Sequence, residues 1–310
     1  MSKRLGIVAV MVLLLAGCAL FSPPDPFEPV IDRDFPDPDV IQVDGLYYAY
    51  ATNDAMSNVQ VATSRDLRSW TALPDAMPTL PAWVEAGDTW APDVVQLGPD
   101  SFVLYFTAHD AAADAQCIGV ATASGPAGPF TAEGEGMLVC PVDEGGAIDA
   151  STFVDRDGTR MLLFKNDGNC CGLDTWISVV PLAASGLELA GDPVRLIRQD
   201  QDWEGDLVEA PTMVVRDDRY VLFYSANRYF GADYAIGYAT ADSLAGPWTK
   251  PEGPWLNSDA TEFEIVSPGG QDLVGDSMVL HGWDGDLTYR ALYTIPLTWT
   301  DGLPVAPRPP

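Results

Sequence analysis

Histidine and positive charge are scarce in this chain. Two histidines, His109 and His281, stand among 310 residues, which argues against a histidine-rich metal centre or a catalytic histidine. Sixteen Lys and Arg against 45 Asp and Glu leave a net charge of −29. Nucleic-acid binding rests on cations that neutralise phosphates, so this balance disfavours it, and it disfavours polyanionic glycans equally. A neutral ligand fits best. Helical periodicity is missing too: no stretch carries apolar residues at helical spacing over a helix's length. The apolar run Leu5 to Ala16 is too short to span a bilayer.

That run has another reading. Lys3 and Arg4 precede it, and it ends in Leu15-Ala16-Gly17-Cys18, which resembles the bacterial lipobox. Residues 1–18 are therefore expected to be a lipoprotein signal with Cys18 as the lipidation site. The protein would be exported and held at the membrane by that lipid alone. Segment 19–30, with Pro23, Pro24, Pro26 and Pro29, reads as an extended tether. Four cysteines then remain: Cys117, Cys140, Cys170 and Cys171. An even number in an oxidising compartment suggests disulfides. Cys117 with Cys140 and the adjacent Cys170 with Cys171 is one pairing, and others stay open.

What the chain does have is a repeat. A small or acidic residue, usually beside Pro, leads into a β-branched run, a turn and an aromatic strand. Asp37-Pro38-Asp39-Val40 pairs with Leu46–Tyr50, and Ala91-Pro92-Asp93-Val94 with Phe102–Phe106. Asp149–Val154 pairs with Arg160–Phe164, Glu209–Val214 with Tyr220–Tyr224, and Ser267–Gly270 with Ser277–His281. Anchored on positions 38, 92, 151, 211 and 268, the intervals are 54, 59, 60 and 57 residues. Third strands (Val59–Thr63, Cys117–Thr122, Tyr234–Thr240) and closing aromatics (Trp70, Phe130, Trp248) recur as well. The spacing predicts an all-β, five-bladed β-propeller over 31–310, with four antiparallel strands per blade. Radial packing would bury both faces of each blade, which a lone sheet cannot do.

In a propeller the first strand of each blade lines the axis. Asp37, Asp93, Asp149 and Glu209 are expected at matching positions there, with Gly270 and Gln271 in the fifth blade. Like charges gathered at close range raise one another's pKa. Such clusters suit acid–base chemistry, and two carboxyls flanking a glycosidic bond suffice to hydrolyse it.

Three motifs carry a resemblance to glycoside hydrolase family 43 over nearly the whole mature chain. Phe35-Pro36-Asp37-Pro38-Asp39-Val40 resembles the family's general-base motif, Thr89-Trp90-Ala91-Pro92-Asp93-Val94 its second signature, and Val208-Glu209-Ala210-Pro211-Thr212 its general-acid motif. The resemblance implies Asp37 as base, Glu209 as acid and Asp93 as the residue that tunes and orients the acid. It also implies inverting hydrolysis of neutral arabinose- or xylose-containing glycans, of α-L-arabinofuranosidase, arabinanase or β-xylosidase type. Phe35, Trp90, Asp149, Gln271 and Arg290 are the expected substrate-binding residues. Many members hold a central metal ion with a histidine where Gly270 stands. Its absence tells against a central calcium or sodium ion, which would need Gln271 and His281 as substitutes, and no cofactor is expected to be required. A retaining glycosidase and a lipid-tethered, catalytically inactive glycan-binding propeller are the alternatives. Loops around 53–58, 107–116, 166–175 and 226–233 would shape the pocket.

Overall fold

Strand Arg219–Ala226 is apolar at nearly every position after Arg219, because both of its faces are buried. Side chains alternate along a strand with period two. Tyr220, Leu222 and Tyr224 pack into one core cluster, while Val221 and Phe223 pack into the next. The computed structural model describes residues 25–307. Residues 1–18, Cys18 and the first part of the expected tether lie outside the described residues.

The described chain is all-β. Blade I is β1 (Asp39–Val43), β2 (Leu46–Ala51), β3 (Gln60–Ser64) and β4 (Trp70–Ala72). Blade II is β5 (Val84–Gly98), β6 (Ser101–Asp110), β7 (Ala115–Ala123) and β8 (Thr131–Val139). Blade III is β9 (Ala147–Val154), β10 (Arg160–Asn166), β11 (Trp176–Pro181) and β12 (Val194–Arg198). Blade IV is β13 (Val208–Arg216), β14 (Arg219–Ala226) and β15 (Ala235–Ala241). Blade V is β16 (Val266–Val274), β17 (Ser277–Trp283) and β18 (Arg290–Pro296). A hairpin, β19 (Thr298–Thr300) and β20 (Leu303–Val305), follows. Among the described residues the helical elements are short 3-10 turns.

The five-bladed propeller is as expected, but the strand count is not uniform. Blades IV and V form sheets of three strands. Their outer edges are covered by isolated bridges: Ile236 to Leu256 and Thr240 to Thr249 in blade IV, and Ile31 to Leu292 in blade V. The blade V bridge closes the ring, because Ile31 precedes blade I and pairs with the last blade. For the same reason residues 25–30, expected as tether, pack on the domain, and Phe27 is buried among blade IV and V side chains.

One core cluster fills each blade-to-blade interface. Tyr50, Val61, Leu104 and Phe106 join blades I and II, and Tyr105, Ile118, Leu162 and Phe164 join II and III. Leu163, Val179, Leu222 and Tyr224 join III and IV. Phe223, Trp255, Leu280 and Tyr293 join IV and V, and Phe35, Ala49, Val279 and Leu292 join V and I. Burying a side chain of this size stabilises by roughly 1.5–3 kcal/mol, so each interface is a substantial lock. The disulfides pair Cys117 with Cys140 and Cys170 with Cys171. The first joins β7 to the end of β8.

Candidate active site

Each inner strand enters the hub through one left-handed residue. Asp37 (φ 54°), Ala91 (41°), Asp149 (58°), Ala210 (49°) and Gly270 (55°) occupy equivalent places in the five blades. The pairing slips there in β5, β9, β13 and β16, the mark of a β-bulge. Two residues further on, Asp39, Asp93 and Asp272 form a deeper ring. Asp272 accepts the Val40 N–H at 2.9 Å, Asp39 the Val94 N–H at 2.9 Å, and Asp93 the Thr152 N–H at 2.9 Å. Each carboxyl thus staples its blade to the next.

The four acids expected in one register therefore belong to different layers. Asp37 and Asp149 are equivalent; Glu209 precedes the bulge residue Ala210, and Asp93 follows Ala91 by two. The bulge adds a residue between the rim and the deeper ring, which a count of prolines does not register. Asp93 also takes a hydrogen bond from the Thr152 hydroxyl at 3.0 Å, and burial pushes it up to about 6. Both its oxygens are occupied by blade III, not by Glu209. The acid whose charge acts with Glu209 is Asp149.

Asp37, Asp149 and Glu209 line one pocket of about 530 Å³ at the hub, within the usual range for small ligands of about 300–1,000 Å³. Burial pushes Asp37 up, but Arg290 Nη1, 3.2 Å away, and the Thr52 hydroxyl, which donates to it at 2.7 Å, hold it well below the usual carboxylate range. Asp37 is a fixed anion. Asp149 is the opposite: burial first, then the charge of Glu209, push it up to about 8. It accepts the Ala210 N–H at 2.9 Å, which fixes the backbone next to Glu209. Glu209 itself takes the Tyr234 hydroxyl at 2.8 Å and Lys165 Nζ at 3.3 Å, on separate oxygens. Lys165 is fully buried, and its acidic neighbours Glu209, Asp167 and Asp149 outweigh burial to raise its pKa. Gly269 makes room for Tyr234, since a Cβ there would lie 2.0 Å from the Tyr234 ring.

Of the expected substrate-binding residues, Trp90, Asp149, Gln271 and Arg290 line the pocket. Phe35 does not. It is buried in the interface of blades V and I, because two residues before a hub acid the side chain points into the neighbouring blade. Gln271 is spent on the scaffold: its amide donates to Ala210 O at 2.6 Å and accepts from Ser225 Oγ at 2.9 Å. Lys165, Tyr234 and Thr52 went unassigned in the sequence. Only Lys165 left a signal, as a lone charge ending the apolar run Met161–Phe164.

His281 reaches into the room that Gly270 leaves. A Cβ at position 270 would meet His281 Nδ1 at 2.5 Å. The Asp37 N–H donates to that Nδ1 at 3.0 Å, while burial and Arg290 lower the pKa of the ring. The neutral ring then carries its proton on Nε2, which is buried without a partner. A protonated nitrogen is not a metal ligand. Among the described residues no group of three His, Cys, Asp or Glu side chains could hold an ion. The residues present do not fit a caged calcium or sodium ion.

Residues 27–304 match the family description "Glycosyl hydrolases family 43". The chain belongs to that family. As a glycoside hydrolase it has an extracellular endo-α-(1→5)-L-arabinanase of Thermotoga petrophila as a relative, 26% identical over 77% of this chain and 56% of that one. The chain thus spans little more than half the length of that relative. A β-D-galactofuranosidase of Aspergillus niger is 28% identical over 79% of this chain and 73% of the other. A solved endo-1,4-β-xylanase from Bacteroides thetaiotaomicron superposes with a TM-score of 0.76 at 28% identity, covering 90% of this chain and 96% of that one.

Proposed function

We propose that this glycosidase works by inversion on neutral arabinose- or xylose-containing glycans, with Asp37 as general base and Glu209 as general acid. The observation that carries the reading is the opposed protonation of the pocket carboxyls. Arg290 and Thr52 keep Asp37 ionised, while burial and the charge of Glu209 push Asp149, beside the acid, up to about 8. Asp37 accepts a proton from water as the water oxygen bonds to the anomeric carbon. The bond from that carbon to the leaving oxygen breaks, and Glu209 gives its proton to that oxygen. Asp149 takes the tuning and orienting role expected of Asp93: its carboxyl lies close enough to Glu209 to feel that charge, and it accepts the Ala210 N–H, which fixes the acid's backbone. The relatives' substrates and the net charge of −29 both favour an uncharged glycan.

Glu209→Ala tests the acid. Turnover of alkyl glycosides should fall by about 10²–10⁴, with aryl glycosides whose leaving group needs no proton largely spared. Equal loss on both kinds of substrate would remove Glu209 from that role.

Export with lipid attachment at Cys18 belongs to the same reading, supported by Lys3, Arg4 and the run ending Leu15-Ala16-Gly17-Cys18. Cys18→Ala should move the protein out of the membrane fraction, and a protein that stays there would contradict attachment at this residue.

A further inference from the structure

The segment between β14 and β15 overhangs the pocket from the blade that carries Glu209. At its far end Tyr234 bonds the Glu209 carboxyl. At its crest Tyr229 and Phe230 line the pocket mouth yet remain 43% and 64% exposed. They are held in place. Their rings meet edge to face at 5.4 Å, and Tyr229 stacks on Trp283 of blade V at 6.4 Å and 10°. The Trp283 indole N–H donates to Tyr229 O at 2.6 Å, and the Arg290 guanidinium lies 4.7 Å from the Tyr229 ring centre. Both cations at this wall are already paired, Arg228 with Asp206 and Arg290 with Asp37. The wall therefore asks for no anion. It presents ordered aromatic surface to whatever protrudes from the pocket.

We propose that Phe230 and Tyr229 form the aglycone subsite, where the sugar on the leaving-group side of the scissile bond stacks its C–H face on the Phe230 ring. This rests on Glu209 being the proton donor. The donor faces the leaving oxygen, so the residue carried by that oxygen lies over blade IV, where this wall stands. A neutral sugar has the matching chemistry: an apolar face for the ring and hydroxyls left in water. Phe35, buried elsewhere, cannot do this.

The test compares Phe230→Ala with the parent protein on two substrates, a linear arabino- or xylotriose and the corresponding glycosyl fluoride. The fluoride places no sugar beyond the bond that breaks. Loss of the stacked face should raise KM for the trisaccharide roughly tenfold, with the fluoride affected far less and Phe230→Trp restoring the ratio. A ratio of kcat/KM values unchanged by Phe230→Ala overturns the subsite. Should the parent protein release no sugar from either compound, the hydrolase reading fails separately. Calorimetry of the same trisaccharide then decides the subsite: weaker binding to Phe230→Ala supports it, and equal affinity overturns it.

Discussion

Replacing Asp272 with asparagine should stabilise the protein in alkaline solution and leave it nearly unchanged in acid. Asp272, Asp39 and Asp93 meet at the floor of the pocket, and all three are shifted upward. Burial pushes Asp272 up to about 7 and Asp93 up to about 6. Burial, then the charges of Asp93 and Asp272, raise Asp39 well above its ordinary value. A folded pKa above the unfolded one means that the folded state keeps a proton the unfolded chain releases. The stabilisation is complete below pH 3.8 and is lost as pH rises through 7. For Asp272 that interval corresponds to about 4 kcal/mol as an upper bound. Asparagine retains an oxygen for the Val40 N–H, 2.9 Å away in the native hub, and its amide can donate to Asp39. Urea unfolding at about pH 4.5 and about pH 8.5 measures the effect. The variant should gain about 2–4 kcal/mol at the higher pH and under about 1 kcal/mol at the lower. An equal loss of stability at both would mean that Asp272 serves as an ionised anchor, and the reasoning about the hub would be wrong.

The site yields further expectations. Arg290→Gln removes the cation 3.2 Å from Asp37, so the base regains protons more easily. The acid limb of kcat/KM should move to higher pH, and an unmoved limb would separate Arg290 from the base. Asp149→Asn removes the carboxyl that burial and the charge of Glu209 raise to about 8; kcat/KM should fall about 10²-fold or more, and an alkaline limb near pH 8 should be lost. A profile that keeps that limb would return the tuning role to another residue. Away from the pocket, Lys250 Nζ sits 2.7 Å from the fully buried Glu204. Lys250→Met should cost about 3–5 kcal/mol by leaving that carboxylate without its cation, and a loss under about 1 kcal/mol in urea unfolding would show that the Tyr224 hydroxyl and the Asp200 and Gln201 amides satisfy it without one.

Much of the fold was legible because each inner strand is buried on both faces. Runs such as Tyr220–Tyr224 and Phe102–Phe106, set between turn residues at near-constant intervals, leave few architectures other than a propeller. The three-stranded blades were not legible, since a single bridge such as Ile31 to Leu292 leaves no periodic trace. The hub acids were found as a set but placed in the wrong layers. Proline and acid identity align Asp93 with Asp37, whereas the bulge at Ala91 sends Asp93 down to the Thr152 amide. Phe35 misled for a related reason: nearness to Asp37 in sequence does not carry it to the same face. Tyr229, Phe230 and Tyr234 lie in a connecting segment, and where such a loop lands depends on contacts with blade V that no local pattern encodes.

The central claim is that Asp37 activates a water while Glu209 protonates the leaving oxygen on the other side of the sugar. Proton NMR of the first sugar released, recorded before mutarotation, tests it most directly. An anomer of inverted configuration is the predicted result. A first product of retained configuration would require a covalent glycosyl intermediate and would contradict the roles given to Asp37 and Glu209.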